Sequence, residues 1–176
     1  RPRRGFVNFH LDYAGIELRL LIHYAGDKEL VDIANTPGGD VHLPATIIFY
    51  GDAYTNGDKD TKKRLRTAAK NCNFAKPYGA DTPKMSATLG LSLEETIRKN
   101  AVYELRFPNL SHLNKTVAKE VKNTGHTYTT FGRKLTVPRE FAHASLNYKI
   151  QGTAAEILKR KTTEVWRYLR KATGNE

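Results

Sequence analysis

Four residues at a fixed interval give the first chemical reading of this chain: Arg66, Lys70, Phe74 and Tyr78, each four positions after the last. On a helix a step of four advances about 400°, so successive members drift by only about 40°. Arg66, Lys70 and Phe74 therefore share one stripe. Two cations and a ring on one face suit a nucleotide, with charge for the phosphates and an aromatic surface for sugar or base. The same stripe also fits an amphipathic helix with Phe74 in the core and both cations in water. Asp12 offers a second chemistry. It ends an apolar segment just before a helix, where a carboxylate can hold a hard cation such as Mg²⁺ or cap the helix. His42, two residues after Asp40, and Gln151, beside Gly152, add an imidazole and an amide able to reach a base edge through the minor groove. Both residue types are equally at home as structural elements. Cys72, the single cysteine, reads as a packing residue.

The elements that must carry these side chains can be read from pattern and punctuation. Alternation over Gly5–Tyr13 predicts a strand that ends at Asp12-Tyr13. Ile16, Leu20 and Tyr24 predict a helix stopped by Gly26, and Asp27 caps a short helix to about Ala34. Pro37-Gly38-Gly39 is a turn, His42–Tyr50 a helix, and a Gly/Asp/Asn-rich loop follows to Asp60. Thr61–Phe74 is strongly helical, and Pro77 must end or kink it. Thr82–Leu89 is a short helix. Ser92-Leu93-Glu94-Glu95 is a capping box opening a helix to about Arg106, and Pro108 starts another that Gly125 ends. His126–Val137 reads as a hairpin turning at Gly132-Arg133. Helix returns from Glu140, with a break or bend at Gln151-Gly152-Thr153, and runs to about Lys171.

Composition narrows the classes of function. The chain has 176 residues, 29 Lys+Arg and 18 Asp+Glu, a formal charge of +11. That length suits one domain or a piece of a larger one. No apolar run approaches the roughly 18 residues of a membrane span. A single cysteine excludes an intrachain disulfide framework and a cysteine zinc cluster. There is no signal peptide pattern and no initiator methionine, so the abrupt start at Arg1-Pro2-Arg3-Arg4 reads as a cut end. Charge is zoned. Seven acids and two bases lie between Asp27 and Asp60, whereas Lys62, Lys63, Arg64, Arg66, Lys70 and Lys76 follow with no acid among them. A second basic cluster spans Lys159–Lys171. Such zoning points to a phosphate-bearing partner or to solvated helix faces.

Together these pieces resemble a known family. Asp12-Tyr13-Ala14-Gly15-Ile16-Glu17-Leu18-Arg19 is similar to the first catalytic motif of family A DNA polymerases, Asp-Tyr-Ser-Gln-Ile-Glu-Leu-Arg. Arg66 through Gly79 resembles the second, the fingers helix with pattern Arg-x₃-Lys-x₃-Phe-x₃-Tyr-Gly. Asp40-Val41-His42 matches the Asp-Ile-His between them. Phe131-Gly132-Arg133-Lys134 resembles the Phe-Gly-Arg-Arg hairpin, and Gln151-Gly152-Thr153-Ala154-Ala155-Glu156 the Gln-Gly-Ser/Thr-Ala-Ala-Asp helix. The resemblance implies roles position by position. Asp12, with the carbonyl of Tyr13, would hold part of a Mg²⁺ pair. Arg66, Lys70 and His42 would grip the triphosphate, with Lys70 the general acid toward pyrophosphate. Phe74 would pack on the sugar, Tyr78 near the templating base, and Glu17 would act as the steric gate against a 2′-hydroxyl. Gln151 would read the primer-terminal minor groove, and Arg133 would contact the DNA backbone.

There are departures from the family pattern. Ala14-Gly15 replaces Ser-Gln. Ala75 and Pro77 alter the end of the fingers helix beside Tyr78. His143 stands where the family often has a DNA-binding Arg, and the link from hairpin to helix is short. These suggest a divergent, phage-type enzyme. The third motif, His-Asp-Glu, which supplies the second metal carboxylate, is not found within the 176 residues, nor is the thumb. The expectation is an α+β, mostly helical chain: the fingers subdomain plus part of the palm of a right-hand DNA polymerase. Residues 1–22 would be a palm strand with the first motif, 23–145 the fingers, and 146–176 the return into the palm. It would serve template-directed DNA synthesis with primer–template DNA, dNTP and two Mg²⁺ ions, in a bacterial or phage-infected cytoplasm and away from membranes. Alone it would be inactive without the remainder of the polymerase. The alternatives are a non-catalytic nucleic-acid-binding module and one half of a split polymerase.

Overall fold

The computed structural model describes residues 5, 7, 8 and 10–174. In chain order the elements are α1 (Ile16–Ala25), α2 (Lys28–Asn35), α3 (Leu43–Tyr50), α4 (Asp52–Thr55) and α5 (Lys59–Ala75). After a 3-10 turn (Lys76–Tyr78) come α6 (Thr82–Leu89), α7 (Leu93–Arg106) and α8 (Pro108–Thr124). Strands β1 (His126–Tyr128) and β2 (Lys134–Thr136), a second 3-10 segment (Arg139–Ala144) and α9 (Ser145–Thr173) complete the described chain. The strands pair antiparallel with Thr127 opposite Leu135. No helix among the described residues is long and apolar enough to cross a membrane.

Local signals account for most boundaries. Asp58 accepts the Thr61 N–H at 2.8 Å and starts α5; Asp81 accepts the Lys84 N–H at 3.0 Å and starts α6. Ser92 accepts the Glu95 N–H at 3.2 Å, as the capping box predicts for α7. Along α5, Leu65, Ala69 and Cys72 are buried at spacings of four and three, so one face docks on the core, while on the adjoining stripe Arg66 and Phe74 are partly buried and Lys70 is exposed. The core gathers α1, α2, α3, α5, α6, α7, α8 and the start of α9. At its centre Phe49 stacks on Tyr103 (centroids 5.9 Å apart) and Tyr103 meets Phe107 edge-on at 5.2 Å. Beyond α5, the Lys76 ammonium lies 4.4 Å from the Tyr103 ring and 3.2 Å from Glu104 Oε1, which ties the end of this helix to α7.

Four expectations require correction. The strand over Gly5–Tyr13 does not form among the described residues; Phe6 and Phe9 lie outside them. A strand needs a neighbour to satisfy its backbone groups, and among the described residues the sheet contains only β1 and β2. The loop before Asp60 contains the short helix α4. Helix does not resume directly at Glu140, since Arg139–Ala144 is 3-10. The break expected at Gln151-Gly152-Thr153 is absent, and α9 runs through it. A Cβ on Gly152 would stand 2.9 Å from Leu135 Cδ1 and 3.2 Å from Thr129 Cγ2. The glycine is therefore there to let the hairpin approach the helix, at a cost in helix propensity.

Asp27 is a subtler case. It occupies the position before α2, but its side chain makes no capping bond there. Its buried carboxylate instead accepts the N–H groups of Asn109 (3.3 Å) and Leu110 (2.7 Å), at the start of α8. Phe107 and Pro108 open that helix and supply no cap of their own, so Asp27 caps it from a distance.

Candidate functional site

The residues between α2 and α3 fold into a tight return. The Gly39 N–H donates to Thr36 O at 2.9 Å, and a Cβ on Gly39 would lie 2.0 Å from Ile33 O, so only glycine fits. This return sets Asp40 against α5. Arg66 Nε donates to Asp40 Oδ2 at 2.5 Å and Nη2 donates to Oδ1 at 2.8 Å, a two-pronged pair. Asp40 Oδ1 also accepts the His42 N–H at 3.0 Å. Burial pushes the Asp40 carboxyl up, but the hydrogen bonds from Arg66 and the His42 backbone, with the charge of Arg66, hold it below the ordinary value. The same pairing raises Arg66.

His42 is 7% exposed and its Nδ1 is buried without a hydrogen-bond partner. Burial, opposed by Asp40 and assisted by the positive charges of Arg66 and Lys70, brings its pKa down to about 4. The imidazole is thus neutral at physiological pH. Its ring centroid lies 5.8 Å from that of Phe74, and Lys70 Nζ lies 6.0 Å from the same ring. His42, Arg66, Lys70 and Phe74 all line one cleft of about 520 Å³, together with Ala14, Gly15 and Arg19. Two cations, a neutral imidazole and an aromatic wall can hold a polyanion carrying a flat or apolar group.

The remaining predicted site residues do not line this cleft. Tyr78 is half-buried, and burial, reinforced by the negative charge of Glu17, pushes its hydroxyl up to about 12. Tyr78 and Glu17 are therefore electrostatic neighbours. Asp12 and Tyr13 are exposed and border a separate groove of about 440 Å³, facing Leu158, Lys161 and Val165 of α9. Ala14 of the cleft wall follows them directly. Gln151 is exposed on α9 and His143 on the 3-10 segment before it. Arg133 folds back on α9: Nη2 donates to Gly152 O at 3.1 Å, and Nε lies 3.4 Å from Glu156 Oε1. Among the described residues, no group of three or more His, Cys, Asp or Glu side chains gathers as a metal site.

Residue reasoning on the sequence did not foresee the central part of Asp40. The available signal was the acidic zone lying next in the chain to the basic helix. A second unforeseen contact is a hydroxyl cluster: Tyr24 OH meets Thr153 Oγ1 at 2.6 Å and accepts from Thr130 Oγ1 at 2.8 Å, joining α1, hairpin and α9.

A sequence model described as DNA polymerase family A matches residues 1–175. The chain belongs to that family. The DNA polymerase of Mycobacterium phage D29 is 29% identical over 153 residues, covering 87% of this chain and 24% of the phage protein. DNA polymerase I of Helicobacter pylori strain J99 is 31% identical over 173 residues, covering 89% of this chain and 18% of that protein. Among solved structures, the polymerase domain of Pol1 from M. smegmatis, in complex with DNA primer-template and dNTP, superposes with a TM-score of 0.73 at 27% identity. That match covers 92% of this chain and 30% of the other. This family A chain thus spans about a quarter or less of its two polymerase relatives, and its mostly helical fold is that of part of a polymerase domain.

Proposed function

We propose that this chain is the fingers and part of the palm of a template-directed DNA polymerase, and that its α5 cleft binds the incoming dNTP. The observation that carries this reading is the convergence of His42, Arg66, Lys70 and Phe74 on one cleft. Residues 23–145 are read as the fingers, flanked by palm segments 1–22 and 146–176. Arg66 presents the guanidinium edge not taken by Asp40 to the triphosphate. Neutral His42 donates a single N–H to a phosphate oxygen. Lys70 gives charge to the phosphates and a proton to the departing pyrophosphate. Phe74 packs on the sugar. Glu17, beside Tyr78, excludes a 2′-hydroxyl, and Tyr78 and Gln151 face the template and the primer terminus.

Asp12 and the Tyr13 carbonyl are exposed oxygen donors of the kind Mg²⁺ prefers. Two ions need a second carboxylate, which in the family comes from a third motif that residues 1–176 do not contain. When bound, the pair supplies the charge that activates the primer hydroxyl and stabilises the leaving group. Residues 1–176 alone therefore bind nucleotide without polymerising.

The test is titration of a fluorescent dATP analogue with Mg²⁺ onto the chain. R66A and K70A should each weaken binding by about tenfold, consistent with loss of one charge-assisted phosphate contact. Unlabelled dATP should compete and deoxyadenosine should not. Equal binding by wild type and both variants would overturn the reading.

A further inference from the structure

The hairpin rests on α9 through contacts that recur at successive turns of the helix. At Gly152 the absent Cβ admits Leu135 and Thr129. At Thr153 the hydroxyl oxygen accepts the Thr130 N–H at 3.3 Å. At Glu156 the carboxylate meets Arg133, and at Arg160 the guanidinium lies 4.0 Å over the Phe131 ring. These four positions fall within about 100° of one another around the helix, whereas the exposed Gln151 lies outside that face. Arg133 is the most committed member. It spends Nη2 on the Gly152 carbonyl and turns Nε to a carboxylate whose side chain is only 17% exposed. Glu156 Oε2 is already buried without a partner, so removing Arg133 would leave a largely buried charge unpaired.

We propose that Arg133 is a positioning residue: it locks the hairpin onto α9 through Gly152 and Glu156 and so shapes the surface that the hairpin presents to primer–template DNA, rather than contacting the DNA backbone itself. The DNA part of this inference rests on the polymerase reading above; the docking part does not. The two roles predict opposite outcomes at Glu156. If Arg133 grips phosphate, Glu156 competes with DNA, and its removal strengthens binding. If Arg133 positions the hairpin, Glu156 is its anchor, and its removal weakens binding even though a negative charge has been lost.

The experiment is binding of a fluorescein-labelled primer–template duplex to the 176-residue chain across a salt series. E156A and R133A should each weaken binding by about fivefold or more. R133K should behave like R133A, because an ammonium does not reproduce the two-pronged contact. The salt slope should stay that of wild type in all three. Tighter binding by E156A, near-wild-type binding by R133K, or a slope reduced by about 0.9 in R133A would assign Arg133 to a phosphate instead. Amide exchange of the Thr129 and Arg133 N–H groups provides a readout that does not depend on DNA. Both should exchange faster in E156A, and unchanged exchange would overturn the docking role. If the wild-type chain binds no duplex, the DNA reading fails while this second measurement still decides the hairpin contact.

Discussion

Asp40 and Arg66 lie 26 positions apart, yet two hydrogen bonds of 2.5 and 2.8 Å join them in the lining of the cleft. The pair fastens the return before α3 to α5 and fixes the plane of the guanidinium. Because Asp40 also holds the His42 backbone, one carboxylate orients two candidate phosphate ligands. Both side chains are partly exposed (27% and 40%), so solvent screens the attraction.

Asp40→Ala should accordingly destabilise the chain by about 1–2 kcal/mol, the range for hydrogen bonds to a charged group at a partly exposed site. D40A/R66A should cost less than the sum of the single variants, since each removes the same interaction. Urea unfolding of the four proteins measures this directly, and strict additivity would show that the pair is not coupled.

His42 makes stability depend on pH. Its pKa is about 4 in the folded chain against an ordinary 6.5, so the unfolded state binds a proton more readily. The stability it contributes is complete above pH 6.5 and is lost as pH falls toward 4. The shift corresponds to an effect on the order of 2–3 kcal/mol. Comparing wild type with His42→Asn in urea between pH 7 and pH 4.5 isolates this term: the variant should lose the difference, and parallel pH profiles would contradict it.

The cap that Asp27 provides to α8 should be as valuable as a local one. Asp27→Ala should cost about 1–2 kcal/mol. The damage should appear as faster amide exchange at Asn109 and Leu110, whose N–H groups it receives. Exchange concentrated at the start of α2 instead would return Asp27 to a purely local role.

Gly152 invites a test with competing terms. In an exposed helix, Gly→Ala stabilises by about 1 kcal/mol. Here the new methyl would press on Leu135 and Thr129, and overpacking costs about 1–3 kcal/mol. Gly152→Ala should therefore lower Tm. A rise in Tm would mean that the hairpin does not pack on α9 at this point.

The helices of this chain were legible because their signals are local. Asp58, Asp81 and Ser92 each bond an N–H three residues on, and the stripe Arg66–Lys70–Phe74 follows from helical period alone. The ordered motifs were likewise readable, and with them the family. Hidden from the sequence were features that depend on residues far apart in the chain. The period-2 pattern before Asp12 is necessary for a strand but not sufficient, because strand hydrogen bonds need a neighbour. Asp27 is a capping residue by type, but only the placement of the α1–α2 junction against the start of α8 decides which helix it caps. Gly152 reads as a helix break from propensity, whereas the approach of Leu135 makes it a packing site within a continuous helix.

The amino-acid sequence by itself thus determined most of the helices, the family and the cationic stripe on α5, since backbone hydrogen bonding and side-chain period act within a few residues. Tertiary structure alone decided that Asp40 pairs with Arg66, that His42 is buried and neutral, and that Arg133 faces α9. Charge pairing and desolvation depend on distance in space, and those partners lie from 19 to 28 positions apart in the chain.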